Sequence, residues 1–210
     1  MRRTVASLAM VMVSLAAGAA CARAQVPPAS TAPEGTADSV VVPPGVYGSL
    51  NQNEIAVRLR TDELEIRFVP LDLRITTLLA RDGAESLQRM VERNRPAIDS
   101  AGRAAGVSEP GLALVTFFAL QPGARFDPEL LTLTARNQLL RPMAIVPLSP
   151  RFGAAQLNAR ESAMAVYVFE DLLPVWEPFT VNYENLASRE WERRLPQLQR
   201  ERDRLAAAPR

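Results

Sequence analysis

The sequence of 210 residues contains no histidine and no lysine, so all 24 of its basic side chains are arginines. Without imidazole, a Ser-His-Asp triad, a Cys-His dyad and a histidine-ligated zinc or copper site are excluded. Without lysine, Schiff-base catalysis, Ser-Lys dyads and the P-loop lysine are excluded as well. The chain therefore lacks most of the side chains that act as nucleophile or base near neutral pH.

Cysteine is almost as scarce, because Cys21 is the only one. It lies in residues 1–24, where Arg2 and Arg3 precede an uncharged apolar run and a stretch of small residues ends at Ala24. This plan is typical of a secretory signal peptide. The apolar run of about sixteen residues is shorter than the ~20 that span a bilayer. We therefore expect cleavage after Ala24 and a periplasmic or extracellular protein without a thiol or a disulfide.

Cys21 also allows a second interpretation of the leader. Ala19 and Ala20 before Cys21 suit lipidation, although Gly18 stands where a branched apolar residue is usual. Soluble secretion is the favoured interpretation, and a lipid-anchored envelope component is the alternative. Contact with a membrane is expected only if Cys21 carries a lipid.

Removal of the leader changes the charge balance slightly. The loss of Arg2, Arg3 and Arg23 leaves 21 arginines against 23 acidic residues, a formal charge of −2. A nearly neutral, exported chain is a poor match for nucleic acid. We expect a protein or another envelope component as the partner, and no cofactor.

Residues 25–45 are rich in proline, alanine, serine and threonine and have no apolar periodicity. This composition predicts a disordered tether. Residues 46–210 are then about 165 residues long, which is the length of a single domain.

Most of that domain has the patterns of β-strands. Apolar and polar residues alternate over 55–60 and again over 64–68, which predicts a hairpin, and Leu73, Ile75 and Thr77 extend the alternation to another strand. Residues 111–120 are continuously apolar, as in a strand at the centre of a sheet. Further strands are predicted at 131–135, 139–148, 162–170 and 179–183. We predict a mainly β, α+β fold, a β-sandwich of which the immunoglobulin-like form is the commonest exported type.

Two segments change to helical periodicity. Residues 82–105 form a predicted helical insertion in which Pro96 introduces a kink or a break, and Gly106 suits its C-terminal cap. From residue 188 onward an apolar stripe containing Trp191 predicts a C-terminal amphipathic helix, with Pro196 as the start of a second helical segment. This helix is rich in arginine, so it either covers the sheet or docks on a partner or an anionic membrane.

Carboxylates are the only general acids and bases that the chain offers. The candidates have no spacing that specifies catalysis or a calcium loop: Asp127, Glu129, Glu161, Glu170 and Asp171. We therefore assign no catalytic residue and no metal ligand. A carboxylate-dependent hydrolase acting on glycans is the alternative function.

A recognition surface is predicted from the topology of a sandwich. Strand reversal places the loops at 121–130 and 149–160, and the turn into the last helix, at one end of the sheets. This end would carry Arg125, Phe126, Arg151, Phe152 and Trp191, which suit carboxylate or phosphate groups and apolar contacts. The competing interpretation has both phenylalanines closing the core and both arginines paired with Asp127 and Glu129. The function expected overall is an exported, noncatalytic binding or envelope-assembly module that acts by surface recognition.

Overall fold

The computed structural model describes residues 45–207 of the chain. The predicted signal peptide, Cys21 and all of the predicted tether except Gly45 lie outside the described residues. The elements of the described part are β1 (Val57–Arg60), β2 (Leu64–Pro70), α1 (Leu73–Thr76), α2 (Arg81–Ala104), β3 (Gly111–Ala119), β4 (Ala124–Arg125), β5 (Leu131–Ala135), β6 (Gln138–Leu140), β7 (Pro142–Pro147), β8 (Gln156–Leu157), β9 (Ser162–Phe169), β10 (Phe179–Tyr183), β11 (Leu186–Ser188) and α3 (Glu190–Ala206). Short 3-10 helices occur at Gln52–Glu54, Pro128–Leu130 and Pro150–Ala154.

The larger sheet has five antiparallel strands in the order β1-β2-β3-β9-β7. The predicted hairpin is confirmed: β1 pairs with β2 so that Val57 faces Phe68, and Phe68 in turn faces Val115 of β3. These side chains are buried, whereas Arg58 on the opposite face of β1 is exposed. The continuously apolar strand β3 lies at the centre of the sheet, as its pattern predicts, because both of its faces are largely covered.

The second sheet has four antiparallel strands in the order β11-β10-β5-β6. Its β10 contributes Phe179, whose ring centroid lies 6.1 Å from that of Phe68, and Tyr183, whose ring lies 5.8 Å from that of Phe117. The inner faces of the two sheets thus share one apolar core. The mainly β, α+β prediction is confirmed. The immunoglobulin-like form is not confirmed, because these strand orders differ from that fold's four-plus-three arrangement.

Two strand predictions are wrong in detail. Residues 73–77 begin with helix α1, because the carboxylate of Asp72 accepts a hydrogen bond from the Arg74 N–H at 2.8 Å and caps a helical turn. Residues 139–148 contain parts of two strands rather than one. The chain passes from the second sheet to the first at Arg141, between β6 and β7.

Helix α2 contacts β7 and β9 and buries Leu87 and Ile98. It is a single helix that contains Pro96, so the predicted break is wrong. Apolar side chains on both sides of Pro96, including Leu87 and Ile98, are buried in the core. The predicted cap is confirmed: Gly106 has φ +75°, and the Val107 N–H donates to the Gly102 carbonyl at 2.9 Å.

Helix α3 is likewise a single helix, with Pro196 inside it rather than at the start of a second segment. It contacts β10 and β1. The Glu190 carboxylate at its start accepts a hydrogen bond from the backbone N–H of Arg58 at 2.8 Å. This contact satisfies one donor on the free edge of β1, which has a partner strand on one side only.

Between residues 45 and 207, none of the helices combines the length and the hydropathy that a transmembrane segment needs.

Candidate functional site

The two loops of the predicted recognition surface do meet in the structure. The short strands β4 and β8 pair, with Ala124 opposite Leu157 and Arg125 opposite Gln156. The 121–130 and 149–160 loops therefore lie next to each other, as the topology of a sandwich predicts.

The two phenylalanines of these loops belong to the core. Phe126 is 4% exposed and Phe152 is 6% exposed. The Phe126 ring stacks on that of Phe117 at 4.5 Å and lies 5.6 Å from the ring of Phe152. Because they are buried among aromatic neighbours, they close this end of the core, as the competing interpretation states, and are not available to a ligand.

The two arginines do not pair with Asp127 or Glu129. Arg151 forms an ion pair with Glu161 at 3.1 Å. Arg125 is exposed and lines a shallow polar pocket of about 320 Å³. The Asp127 carboxylate instead accepts a hydrogen bond from the Glu129 N–H at 2.9 Å and caps a 3-10 helix. That part of the competing interpretation is wrong, because Arg151 pairs with a different carboxylate and the Asp127 carboxylate accepts a hydrogen bond from the backbone.

Trp191 lies apart from these residues. It is 0% exposed, stacks on Phe179 at 4.8 Å and donates its indole N–H to the Val175 carbonyl at 3.2 Å. Phe179 is at the opposite end of β10 from Tyr183, which contacts the aromatic cluster around Phe117. The structure thus does not bring Trp191 to the Arg125 end of the sheets, and the indole is a core side chain.

Several carboxylates of residues 45–207 act as hydrogen-bond acceptors or ion-pair partners. Wherever a carboxyl pKa departs from its ordinary value in this part of the chain, it is lowered. The groups with a lowered pKa are Glu85, Glu92, Glu161, Glu177 and Glu201. The main cause is a hydrogen bond from the Asn158 N–H at Glu161 and a hydrogen bond from an arginine at the other four. A carboxylate held ionised in this way is a poor general acid. Over the same residues, no group of three acidic side chains is placed to hold a metal ion.

A groove of about 410 Å³ lies between α1, α2 and the start of β3. Its walls include the side chains of Leu87 and Val91 from α2 and of Leu112 from β3. Gly111 allows the close approach that forms one end, since a Cβ atom there would lie 2.3 Å from the Asp171 carbonyl oxygen. The volume is within the range of ligand pockets in proteins.

The rim of the groove carries two exposed leucines and two balanced ion pairs. Leu73 is 68% exposed and Leu172 is 55% exposed. Asp72 pairs with Arg74 at 2.8 Å, and Glu92 pairs with Arg95 at 2.9 Å. The Arg74 guanidinium also donates to the Leu173 carbonyl at 3.1 Å, which links α1 to the loop that carries Leu172.

Local sequence patterns do not predict this groove. The alternation at 73–77 predicts a strand for Leu73, and nothing near Leu172 indicates which distant segment it approaches. The only available signal is the pair of consecutive leucines after Asp171, in a loop where polar residues are usual.

The comparisons with known proteins add no relative: no family model matches the chain, and neither the curated proteins nor the solved structures include a significant match.

Proposed function

We propose that this protein is an exported, noncatalytic binding module that recognises an apolar segment of an envelope protein through the groove between α1, α2 and β3. The observation that carries the proposal is the apolar groove flanked by the exposed side chains of Leu73 and Leu172. Large apolar side chains that border a concave apolar surface are typical of interaction sites.

The chemistry of the groove favours a protein segment over a small ionic ligand. Its charged residues, Asp72 with Arg74 and Glu92 with Arg95, neutralise one another, so no net charge is left for an ion. Leu73 and Leu172 project at the rim, and covering them requires a ligand that extends past the groove. An apolar stretch of polypeptide meets both requirements.

Export supplies the setting for this interaction. It rests on the leader-like residues 1–24 and on the absence of a thiol after Ala24, and it makes an envelope protein the expected class of partner. The lipid-anchored alternative changes only how the module is held, and mass spectrometry of the mature N-terminus distinguishes it.

The test is differential capture from an envelope extract of the producing cells. The mature chain is compared with a Leu73→Ser/Leu172→Ser variant and with a Leu130→Ser/Leu139→Ser control, whose two leucines are also exposed but lie outside the groove. We expect the groove variant to lose the captured protein and the control to retain it, with all three unfolding at the same temperature.

A photo-crosslinker at position 172 identifies the contact directly. A single crosslinked protein, the same one that the groove variant fails to capture, supports the proposal. Equal capture by the groove variant and the control, or turnover of the captured molecule by the purified chain, contradicts it.

A further inference from the structure

Another concavity, separate from the groove and from the polar pocket beside Arg125, lies along the free edge of β1. It has a volume of about 290 Å³ and is bounded by β1, β11 and the start of α3. Four of its eight lining residues are arginines and none is acidic; they are Arg58, Arg60, Arg189 and Arg193. We call this concavity the arginine cleft.

The charges of the arginine cleft are not neutralised within the described chain. Across residues 45–207, Arg60, Arg189 and Arg193 have no carboxylate partner, and Arg58 donates to the neutral Asn53 amide oxygen at 2.9 Å. The arginines of α2 provide the contrast. Three of its five arginines form ion pairs with glutamates on the same helix; they are Arg81, Arg89 and Arg95.

Two further arginines, Arg67 and Arg194, lie near Arg58 of the cleft. Arg58 is directly opposite Arg67 in the β1–β2 ladder, an arrangement of like charges that destabilises a sheet. Burial, and then the charge of Arg58, lower the pKa of Arg67, with Arg194 adding to the effect. In the described part of the chain, the Nε atoms of Arg67 and Arg194 are buried without a hydrogen-bond partner.

The nearby carboxylates do not compensate for this concentration of positive charge. Glu65 is opposite Arg60 in the β1–β2 ladder, and its negative charge also acts on Arg67, whose pKa it raises. Glu190 is already shared between the Arg58 N–H and the Arg194 guanidinium. An anion bound in the cleft would relieve the repulsion that remains.

The backbone of β1 adds a donor on the same side. Since the Arg58 N–H points away from β2 toward Glu190, the alternation of a strand directs the Arg60 N–H to the same free edge. One space is therefore lined by guanidinium groups from β1 and from the start of α3, together with a backbone amide at the strand edge.

We propose that the arginine cleft binds a phosphate group. One arginine fork satisfies a carboxylate, whereas the oxygens of a tetrahedral phosphate accept from several guanidinium groups that approach from different elements. Its greater charge also suits a space with several unpaired cations. This site goes beyond the recognition proposed for the groove and shares no lining residue with it.

The phosphate has two sources in an exported setting, a soluble phosphate compound or the headgroup of an anionic lipid. The experiment therefore has two arms, both with the full mature chain at constant ionic strength. Calorimetric titration uses inorganic phosphate and glycerol phosphate. Flotation uses equimolar phosphatidylglycerol–phosphatidylcholine vesicles, with phosphatidylcholine vesicles for comparison.

The decisive variant is Arg60→Gln/Arg193→Gln, and the matched control is Arg141→Gln/Arg200→Gln. The control removes the same charge from exposed arginines outside the cleft, one of them on α3. We expect wild type and control to bind equally. The affinity of the cleft variant should be lower by about tenfold or more, because charge-assisted hydrogen bonds are lost. Binding of the soluble compounds identifies a soluble ligand, and binding only of the anionic vesicles identifies a lipid headgroup.

Two results overturn the proposal. One is the absence of wild-type binding in both arms. The other is an equal loss in the cleft variant and the control, which would mean that only the overall charge matters. Neither result bears on the capture experiment for the groove, because the cleft and groove variants alter different residues.

Discussion

At the scale of single residues, Glu201 shows how one buried carboxylate joins distant parts of the chain. It accepts hydrogen bonds from the N–H and hydroxyl of Ser49, at 2.6 and 2.9 Å, and from Arg204, at 2.8 and 2.6 Å. The Arg204 guanidinium, followed by Ser49, lowers the pKa of Glu201 to about 2. Helix α3 is thereby attached to the segment that precedes β1.

We predict that Glu201→Gln lowers the free energy of unfolding by about 2 kcal/mol at pH 7, less than the full shift implies because Arg204 is solvent-exposed. The folded-state pKa of Glu201 is lower than its ordinary value of 4.5, so the carboxylate stabilises the fold above that value. Its contribution is lost as the pH falls toward 2. Urea unfolding of wild type and variant from pH 7 to pH 2.5 measures the difference.

The control is Glu192→Gln, which alters an exposed glutamate on the same helix. Its free energy of unfolding should stay close to that of wild type throughout. A wild-type-to-Glu201→Gln difference that does not shrink below pH 4.5 would contradict the assignment.

Trp191 is the second residue whose surroundings lead to a prediction. Its ring is fully buried against Phe179, and its N–H is bonded to the Val175 carbonyl. Trp191→Ala is expected to cost roughly 3 to 5 kcal/mol because it leaves a large cavity. Chemical denaturation measures the cost, and a loss under ~0.5 kcal/mol would instead indicate an exposed indole.

At the scale of elements, the two long helices each contain a proline and continue through it. Pro96 in α2 cannot donate to the Glu92 carbonyl, and Pro196 in α3 cannot donate to that of Glu192. The helices persist because apolar side chains on both sides of each proline are packed against the core, including Leu87 and Ile98 around Pro96. Packing therefore outweighs local propensity in both elements.

We predict that Pro96→Ala stabilises the protein, by up to about 3 kcal/mol, because it restores a backbone donor and removes the steric conflict of the proline ring. Pro96 is exposed, so its replacement leaves no cavity. Thermal unfolding tests this against Ser100→Ala, an exposed change in the same helix that keeps the backbone donor. A lower melting temperature for Pro96→Ala would show that the proline shapes the helix for its contacts.

The strand patterns illustrate what local periodicity conveys. Alternation predicted the β1–β2 hairpin, because a strand buried on one face alternates apolar and polar residues. The continuous apolar run predicted β3, because such a run is typical of a strand buried on both faces. Periodicity gave a wrong prediction at 73–77, where the Asp72 cap starts a helical turn, and at Arg141, where the chain moves between sheets. Both failures depend on where neighbouring elements lie, which periodicity does not contain.

At the scale of the whole molecule, the residues that follow the predicted tether are built into the fold. The Gly48 N–H donates to the Thr77 carbonyl at 2.9 Å, and the Leu50 N–H donates to that of Leu78 at 3.1 Å. A Cβ atom on Gly48 would lie 1.9 Å from the Leu78 oxygen, so the close approach requires glycine. The boundary between dispensable and essential chain is therefore expected just before these contacts.

We predict that a chain beginning at Val46 keeps the thermal transition of a chain beginning at Gln25. A chain beginning at Gln52 should unfold at a lower temperature, because the contacts of Gly48, Ser49 and Leu50 are lost. Calorimetry of the two truncated chains tests the boundary. Destabilisation of the longer one would show that residues 25–45 contribute to the fold.

Composition and local pattern were sufficient for several conclusions about this protein. They exclude imidazole, amine and, after the expected cleavage, thiol chemistry, and they predict the β-rich class, the hairpin and both amphipathic helices. These properties follow from residue type and from periodicity along one element. Neither requires knowledge of which elements meet.

Long-range packing settled the availability of the side chains. Phe126, Phe152 and Trp191 are buried. Residue type alone does not distinguish an aromatic side chain in a core from one in a binding surface. The groove joins Leu73 to Leu172, and the arginine cleft joins β1 to the start of α3, across separations of about a hundred residues or more. Such sites exist only after two sheets and three helices have packed, because their geometry depends on contacts between segments that no short-range pattern relates.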